Sequence, residues 1–281
     1  MTTMTDMTDD EKREARKIIE QVRDQAYNNV ELTREKLNKD KDESENNPRL
    51  NEQDKFNIRQ LYANYGMLVL YKNTYDILLN KFMEDAKKLR TMDIGFGLHS
   101  ELDANIDTLH YMLMNSEVVQ WLSEQNNPSF TYSDLRYTYV PYYKSTHNVV
   151  LEKTDLMLSL YAQIWALKVC QDDLAYLSET GLKYIIGDEL LDRYTKYTFG
   201  KDGAVSVTPK TTEQLQVDYN KAKARIEELY SNAGILDSKT KNIANRMLNE
   251  LFSYYTNGYR EIDDSINYNI QQDQETQKMS R

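Results

Sequence analysis

"LYANYGMLVLYKNTYDILLNKFMEDAKKL", Leu61 to Leu89, decides the fold class. Leu61, Tyr65, Leu68, Lys72, Tyr75, Leu79, Phe82, Ala86 and Leu89 follow one another in steps of four and three, and only Lys72 breaks the apolar rule. Residues three and four apart share a helix face, so this is a heptad seam sustained over about four heptads. Ile58, Tyr62, Val69 and Leu78 widen it to a bundle face. The pattern predicts one helix from about Glu52 to Thr91, roughly 60 Å long at 1.5 Å per residue. Helices of that length usually pair lengthwise with another.

The neighbouring segments extend the same reading. "MDIGFGLHS" (Met92 to Ser100) supplies a break with Gly95 and Gly97. A second helix is expected from about Ser100 to Gln125 on Leu102, Ile106, Leu109, Leu113, Val118, Trp121 and Leu122, giving an αα-hairpin over about 52–125. Upstream, Asp9 and Asp10 open a charged helix to about Leu37 with a thin apolar stripe through Ile18, Ile19, Val22, Ala26 and Val30. "NKDKDESENNP" (Asn38 to Pro48) is acidic and lacks apolar residues, so it reads as an exposed linker. Downstream, Ser145 to about Glu179 is apolar most of the way round, the signature of a central buried helix over about 145–179.

Two short stretches carry β signals. "YTKYTFGKDGAVSVTP" (Tyr194 to Pro209) sets two runs of β-formers around "GKDG", which predicts a β-hairpin over about 194–208. "LRYTYV" (Leu135 to Val140) alternates, and reads as a short strand that would complete a three-stranded patch, limited to an edge by Pro141. Thr211 or Thr212 then caps a helix to about Ala233, Gly234 breaks it, and a last helix runs from Ser238 to about Gln272. The expected organisation is mainly α: an N-terminal charged helix and linker at 1–48, a helical bundle with an inserted β-hairpin at 49–272, and a loose tail at 273–281.

Composition narrows the function classes. Only 9 Gly and 4 Pro punctuate 281 residues, too few for a turn-rich β fold. The net charge of −10 repels phosphate, which argues against sequence-specific binding of nucleic acid. The single cysteine, Cys170, sits in an apolar run and reads as a buried, inert thiol. No run approaches the ~18 apolar residues of a membrane span. The start, "MTTMTDMTDDEKREARK", lacks a basic n-region and an apolar h-region, so no secretory signal is expected, and the localisation read from this is virion or cytoplasm.

Catalytic patterns are sparse. There is no phosphate-cradling glycine loop, and "GFG" is explained by a helix break. His99, His110 and His147 do not stand in metal-ligand spacing. "DANID" (Asp103 to Asp107) starts like a calcium loop but has Thr108 and Met114 where glycine and glutamate are needed. Asp172–Asp173 and Asp263–Asp264 are adjacent on helices and point about 100° apart, so neither pair makes an acid/base site. The expectation is a non-enzyme without cofactor or metal.

The remaining oddity is tyrosine. The chain has 22 Tyr against 6 Phe, and "PSFTYSDLRYTYVPYYK" (Pro128 to Lys144) concentrates five of them. Tyrosine joins a large apolar face to a hydroxyl that prefers a polar partner, and it is enriched at protein interfaces. Three roles compete for this stretch: a packed corner between helices, a subunit interface, or a platform for sugars or bases, the last disfavoured by charge. The candidate interface residues are Phe130, Tyr132, Tyr137, Tyr139, Tyr142 and Tyr143, with Tyr197, Phe199, Val205 and Val207 of the hairpin. The leading expectation is a structural subunit of a larger homo-oligomer contacting other structural proteins, most concretely a virion part such as a tailed-phage head–tail connector. A helical adaptor that binds a partner protein is the alternative, and a secretion or toxin component the third.

Overall fold

The computed structural model describes residues 7–92, 106–127, 129–148, 151–187, 195–199 and 205–257. It is mainly helical. Helix α1 spans Asp9–Glu45 and α2 Glu52–Met92, followed by α3 (Ile106–Met114) and α4 (Glu117–Glu124). A single turn, α5 (Tyr132–Asp134), leads through a π-helical turn (Leu135–Tyr139) into α6 (Val140–His147). Then come α7 (Glu152–Ile186), the short strands β1 (Thr195–Phe199) and β2 (Val205–Pro209), α8 (Thr212–Ser231) and α9 (Ser238–Asn257). The strands pair antiparallel, Thr195 opposite Pro209 and Phe199 opposite Val205. The expected hairpin turn lies outside the described residues, as do "GFG", His99, the start of "DANID", Asp263–Asp264 and the C-terminal tail.

Two compact units organise the chain. Among the described residues, one contains the chain up to Asp24 and Thr74–Cys170; the other contains Gln25–Asn73 and the chain from Gln171 to Asn257. The first has an apolar cluster of Leu113, Val118, Val119, Leu122, Leu135, Val140, Tyr143, Leu151 and Leu158. The second gathers Ile58, Leu61, Tyr62, Tyr65 and Leu68 of α2 with Leu182 and Ile186 of α7, Ile226 of α8, and Met247 and Leu251 of α9.

Several expectations are corrected. The acidic stretch from Asn38 is not a linker: α1 continues through it to Glu45. Its charges are solvated or paired, with Lys239 reaching Asp40 at 2.6 Å and Glu43 at 2.7 Å. The seam of α2 is interrupted in its middle. Leu61, Tyr65, Leu68, Phe82, Ala86 and Leu89 are buried as expected, but Lys72 is exposed, Tyr75 and Leu79 are half-buried, and Thr74 and Leu78 are buried in that middle stretch instead. Steps of four drift around a straight 3.6-residue helix, so no continuous heptad seam is kept.

The helix expected over Ser100 to Gln125 is interrupted at Asn115–Ser116, and Ser116 is extended at φ −73°, ψ 153°. Leu113 and Val118 are five residues apart, about 140° on an unbroken helix. The break lets both enter one core. The helix expected from Ser145 starts at Glu152 instead. Asn148 ends α6 in the left-handed region at φ 48°, where asparagine is tolerated best among residues with a side chain. Within α7 every residue from Leu160 to Gln171 is buried, Cys170 included, as the all-round apolar pattern predicts.

α8 and α9 form an antiparallel pair. Thr211 opens α8 with a capping box, its hydroxyl accepting from the Gln214 amide. The helix ends at Gly234, φ +61°, with Ala233 N donating to Glu228 O at 3.1 Å and Ile235 N to Leu229 O at 3.0 Å. The Tyr219 ring lies tilted against Phe252 at 4.7 Å and its hydroxyl donates to Asn249 at 2.7 Å, while Lys241 pairs with Glu227 at 2.6 Å. Asp237 caps α9 through the Thr240 amide at 2.7 Å. Its other oxygen accepts from Ser44 Oγ at 2.6 Å, and Ser44 in turn accepts from the Thr240 hydroxyl at 3.1 Å.

Candidate functional site

The tyrosine-rich stretch is helical, which corrects the strand read from "LRYTYV". Thr131 nucleates it. Its hydroxyl accepts from the Asp134 amide at 3.2 Å and the Asp134 carboxylate accepts from Thr131 N at 2.9 Å. This capping box satisfies two donors that a helix start otherwise leaves unpaired. It also holds the Asp134 carboxyl below the usual carboxylate range, the Thr131 amide being the main cause. Alternation in "LRYTYV" suggests one face for Leu135, Tyr137 and Tyr139. The buried set is instead Leu135, Val140 and Tyr143. The π turn absorbs the extra residue between Leu135 and Val140, so both point into the core despite a spacing of five. Pro141 falls directly after the π turn, as the second residue of α6.

This geometry divides the aromatic residues. Tyr132 faces inward: its ring lies edge-on to Trp165 at 4.8 Å and its hydroxyl donates to Leu158 O at 2.9 Å. Burial pushes its hydroxyl well above the ordinary tyrosine range. Tyr143 is buried, stacked on His147 at 4.0 Å and edge-on to Trp121 at 5.5 Å. Tyr139 is half-buried and accepts from the Asn127 amide at 2.6 Å, and Phe130 is half-buried against the same cluster. Tyr137 and Tyr142 face outward, 58% and 55% exposed. Of the hairpin candidates, Tyr197 stands opposite Val207 and Phe199 opposite Val205 in the β1–β2 ladder, which is all the described residues place of them.

The corner is locked from both sides. The start of α1 reaches it through Asp10, which accepts from Ser133 N at 3.2 Å and Ser133 Oγ at 2.8 Å, and through Glu14, whose oxygens accept from the Tyr137 hydroxyl at 2.6 and 2.8 Å. Lys17 sits 5.3 Å from the Tyr137 ring centre and 3.1 Å from Glu14. On the α7 side, Arg136 donates to Asp155 O at 2.8 Å and Lys144 pairs with the Asp155 carboxylate. The sequence reading misses Asp10, Glu14 and Asp155 because pairings between residues up to 123 apart leave no local pattern. It assigns Trp121 to an apolar stripe, whereas the ring lies within 6 Å of Tyr142, Tyr143 and His147.

The Tyr137 hydroxyl is pushed up to about 12, first by burial of the hydroxyl end and then by the Glu14 carboxylate that accepts its proton. A raised acid contributes stability that is present below the ordinary tyrosine value of about 10 and lost as pH rises through the folded value. Tyr137→Phe is expected to lower the chemical-denaturation stability at neutral pH by about 1 kcal/mol, since the buried Glu14 loses the hydroxyl that donates to it. The difference between the two proteins should shrink above about pH 10. An unchanged midpoint at neutral pH would dismiss the lock.

Asp172, the acidic residue following the buried run of α7, accepts a hydrogen bond from the Tyr254 hydroxyl. Among the described residues no group of three or more His, Cys, Asp and Glu could hold a metal ion. No described helix is long and apolar enough to cross a membrane. Comparison with protein-family models, curated proteins and solved structures finds no match.

Proposed function

We propose that the protein is a non-catalytic structural subunit that works within a larger protein assembly, and that the outward side of the aromatic corner is part of its contact surface. The observation that supports this reading is the division within one short stretch. Tyr132 and Tyr143 anchor the corner inside, and Tyr142 and Tyr137 are left 55% and 58% exposed on a backbone locked by Asp10, Glu14 and Asp155. Rigid, partly exposed tyrosines are suited to interfaces, because large area is buried on docking at low entropic cost. The charge of −10 fits contact with protein rather than with phosphate. A ring-forming virion part, such as a head–tail connector subunit, is the concrete form of this reading, by analogy of fold class and charge.

Light scattering together with negative-stain imaging tests it. The expected result is a discrete multi-copy species. Tyr142→Ala, at a position that contributes little burial, should reduce the assembled fraction about tenfold or more while leaving the melting temperature nearly unchanged. A monomer at every concentration that captures a single folded partner would favour the adaptor reading. A monomer that captures none would remove both.

A further inference from the structure

Trp121 lies on an exposed edge of the corner, and its setting on α4 says what chemistry it faces. Glu117, Trp121 and Glu124 stand at positions i, i+4 and i+7 and fall within about 60° of arc on the helix. The opposite face carries the buried Val118, Val119 and Leu122. Trp121 is half-buried, while Glu117 and Glu124 are exposed. Neither carboxylate has a hydrogen-bond or ion-pair partner among the described residues. The Trp121 ring sits 5.8 Å from the exposed Tyr142 and 5.8 Å from His147, with the buried Tyr143 beneath at 5.5 Å. The result is a rigid aromatic surface bracketed by two carboxylates.

We infer that this surface binds an arginine-bearing segment of a partner protein. A planar guanidinium stacks on tryptophan and tyrosine faces, and its N–H groups pair with a flanking carboxylate in the same pose. Lysine satisfies the charge but not the stacking. The inference rests on the reading of the corner as a contact surface and adds the chemistry of what it contacts.

The test uses the full chain and a fluorescein-labelled tetra-arginine peptide, read by anisotropy in low-salt buffer. Saturable binding is expected. Glu117→Gln with Glu124→Gln should weaken it about fivefold, and Tyr142→Ala about threefold. Glu20→Gln with Glu31→Gln removes the same charge from exposed positions on α1 and should change binding by about twofold at most. A tetra-lysine peptide should bind less tightly than tetra-arginine. All these positions are exposed, so circular dichroism should be unchanged. No binding, or equal weakening by the two charge-matched pairs, overturns the inference. A protein that assembles but ignores the peptide overturns this inference and leaves the assembly reading standing. A protein that binds the peptide through the patch yet never assembles and captures no partner does the reverse.

Discussion

Tyr139→Ala combined with Tyr143→Ala is expected to lower the melting temperature by about 10 °C and to leave subunit stoichiometry unchanged. Tyr143 is 9% exposed and touches both Trp121 and His147, so its truncation removes ring contacts and opens a cavity costing about 3 kcal/mol. Tyr139 is half-buried and accepts a 2.6 Å hydrogen bond from Asn127, which adds about 1 kcal/mol. A chain of this size shifts by a few degrees per kcal/mol. Calorimetry and light scattering on the same sample separate this outcome from that of Tyr142→Ala, which should act on assembly and not on melting. If the double variant melts normally and loses assembly, the inward assignment of these two rings is wrong.

The other large effect belongs to the second unit. Asp237→Ala should cost about 3 kcal/mol, read as a shift in denaturation midpoint. The change removes the cap of α9, worth about 1 kcal/mol, and leaves Ser44 without its carboxylate partner beside Tyr62 and Thr240. Burial alone would raise the Asp237 carboxyl. Hydrogen bonds from Ser44, from the Thr240 amide and hydroxyl, and from the Lys239 amide outweigh it and hold the carboxyl below its ordinary value. A depressed carboxyl contributes stability that is present above the unfolded value near 4 and lost as pH falls through the lower folded value. The wild type should therefore lose stability below about pH 4 more steeply than Asp237→Asn, which keeps a cap without a charge. Equal acid sensitivity in the two proteins would remove Asp237 as the cause.

Two apolar pairs show where sequence reading stops. Leu113–Val118 and Leu135–Val140 are each five residues apart. That spacing fits neither a continuous α-helix nor a strand with one buried face, so in both places the chain needs an interruption. At Leu113–Val118 the interruption is a break at Ser116, and at Leu135–Val140 it is a π turn. The packing of the surrounding helices decides which form it takes. Tyrosine likewise has no fixed side: Tyr137 and Tyr143 have the same local propensity, yet one is 58% and the other 9% exposed.

The sequence by itself determined that the chain is mainly helical, that α2 starts near Glu52, that α8 is capped at Thr211 or Thr212 and stops before Gly234, and that the middle of α7 is buried all round. These follow from the 3.6-residue period, from capping chemistry and from a scarcity of breakers, all of which act within a few residues. The tertiary structure alone decided that the acidic stretch after Asn38 stays helical, and which tyrosines are anchors and which are surface. Those outcomes depend on Glu14 meeting Tyr137 and on Lys239 meeting Asp40 and Glu43, pairs 123 or more residues apart. Such pairings add small energies to a local preference that is nearly balanced, and the balance tips only once the distant partner has arrived.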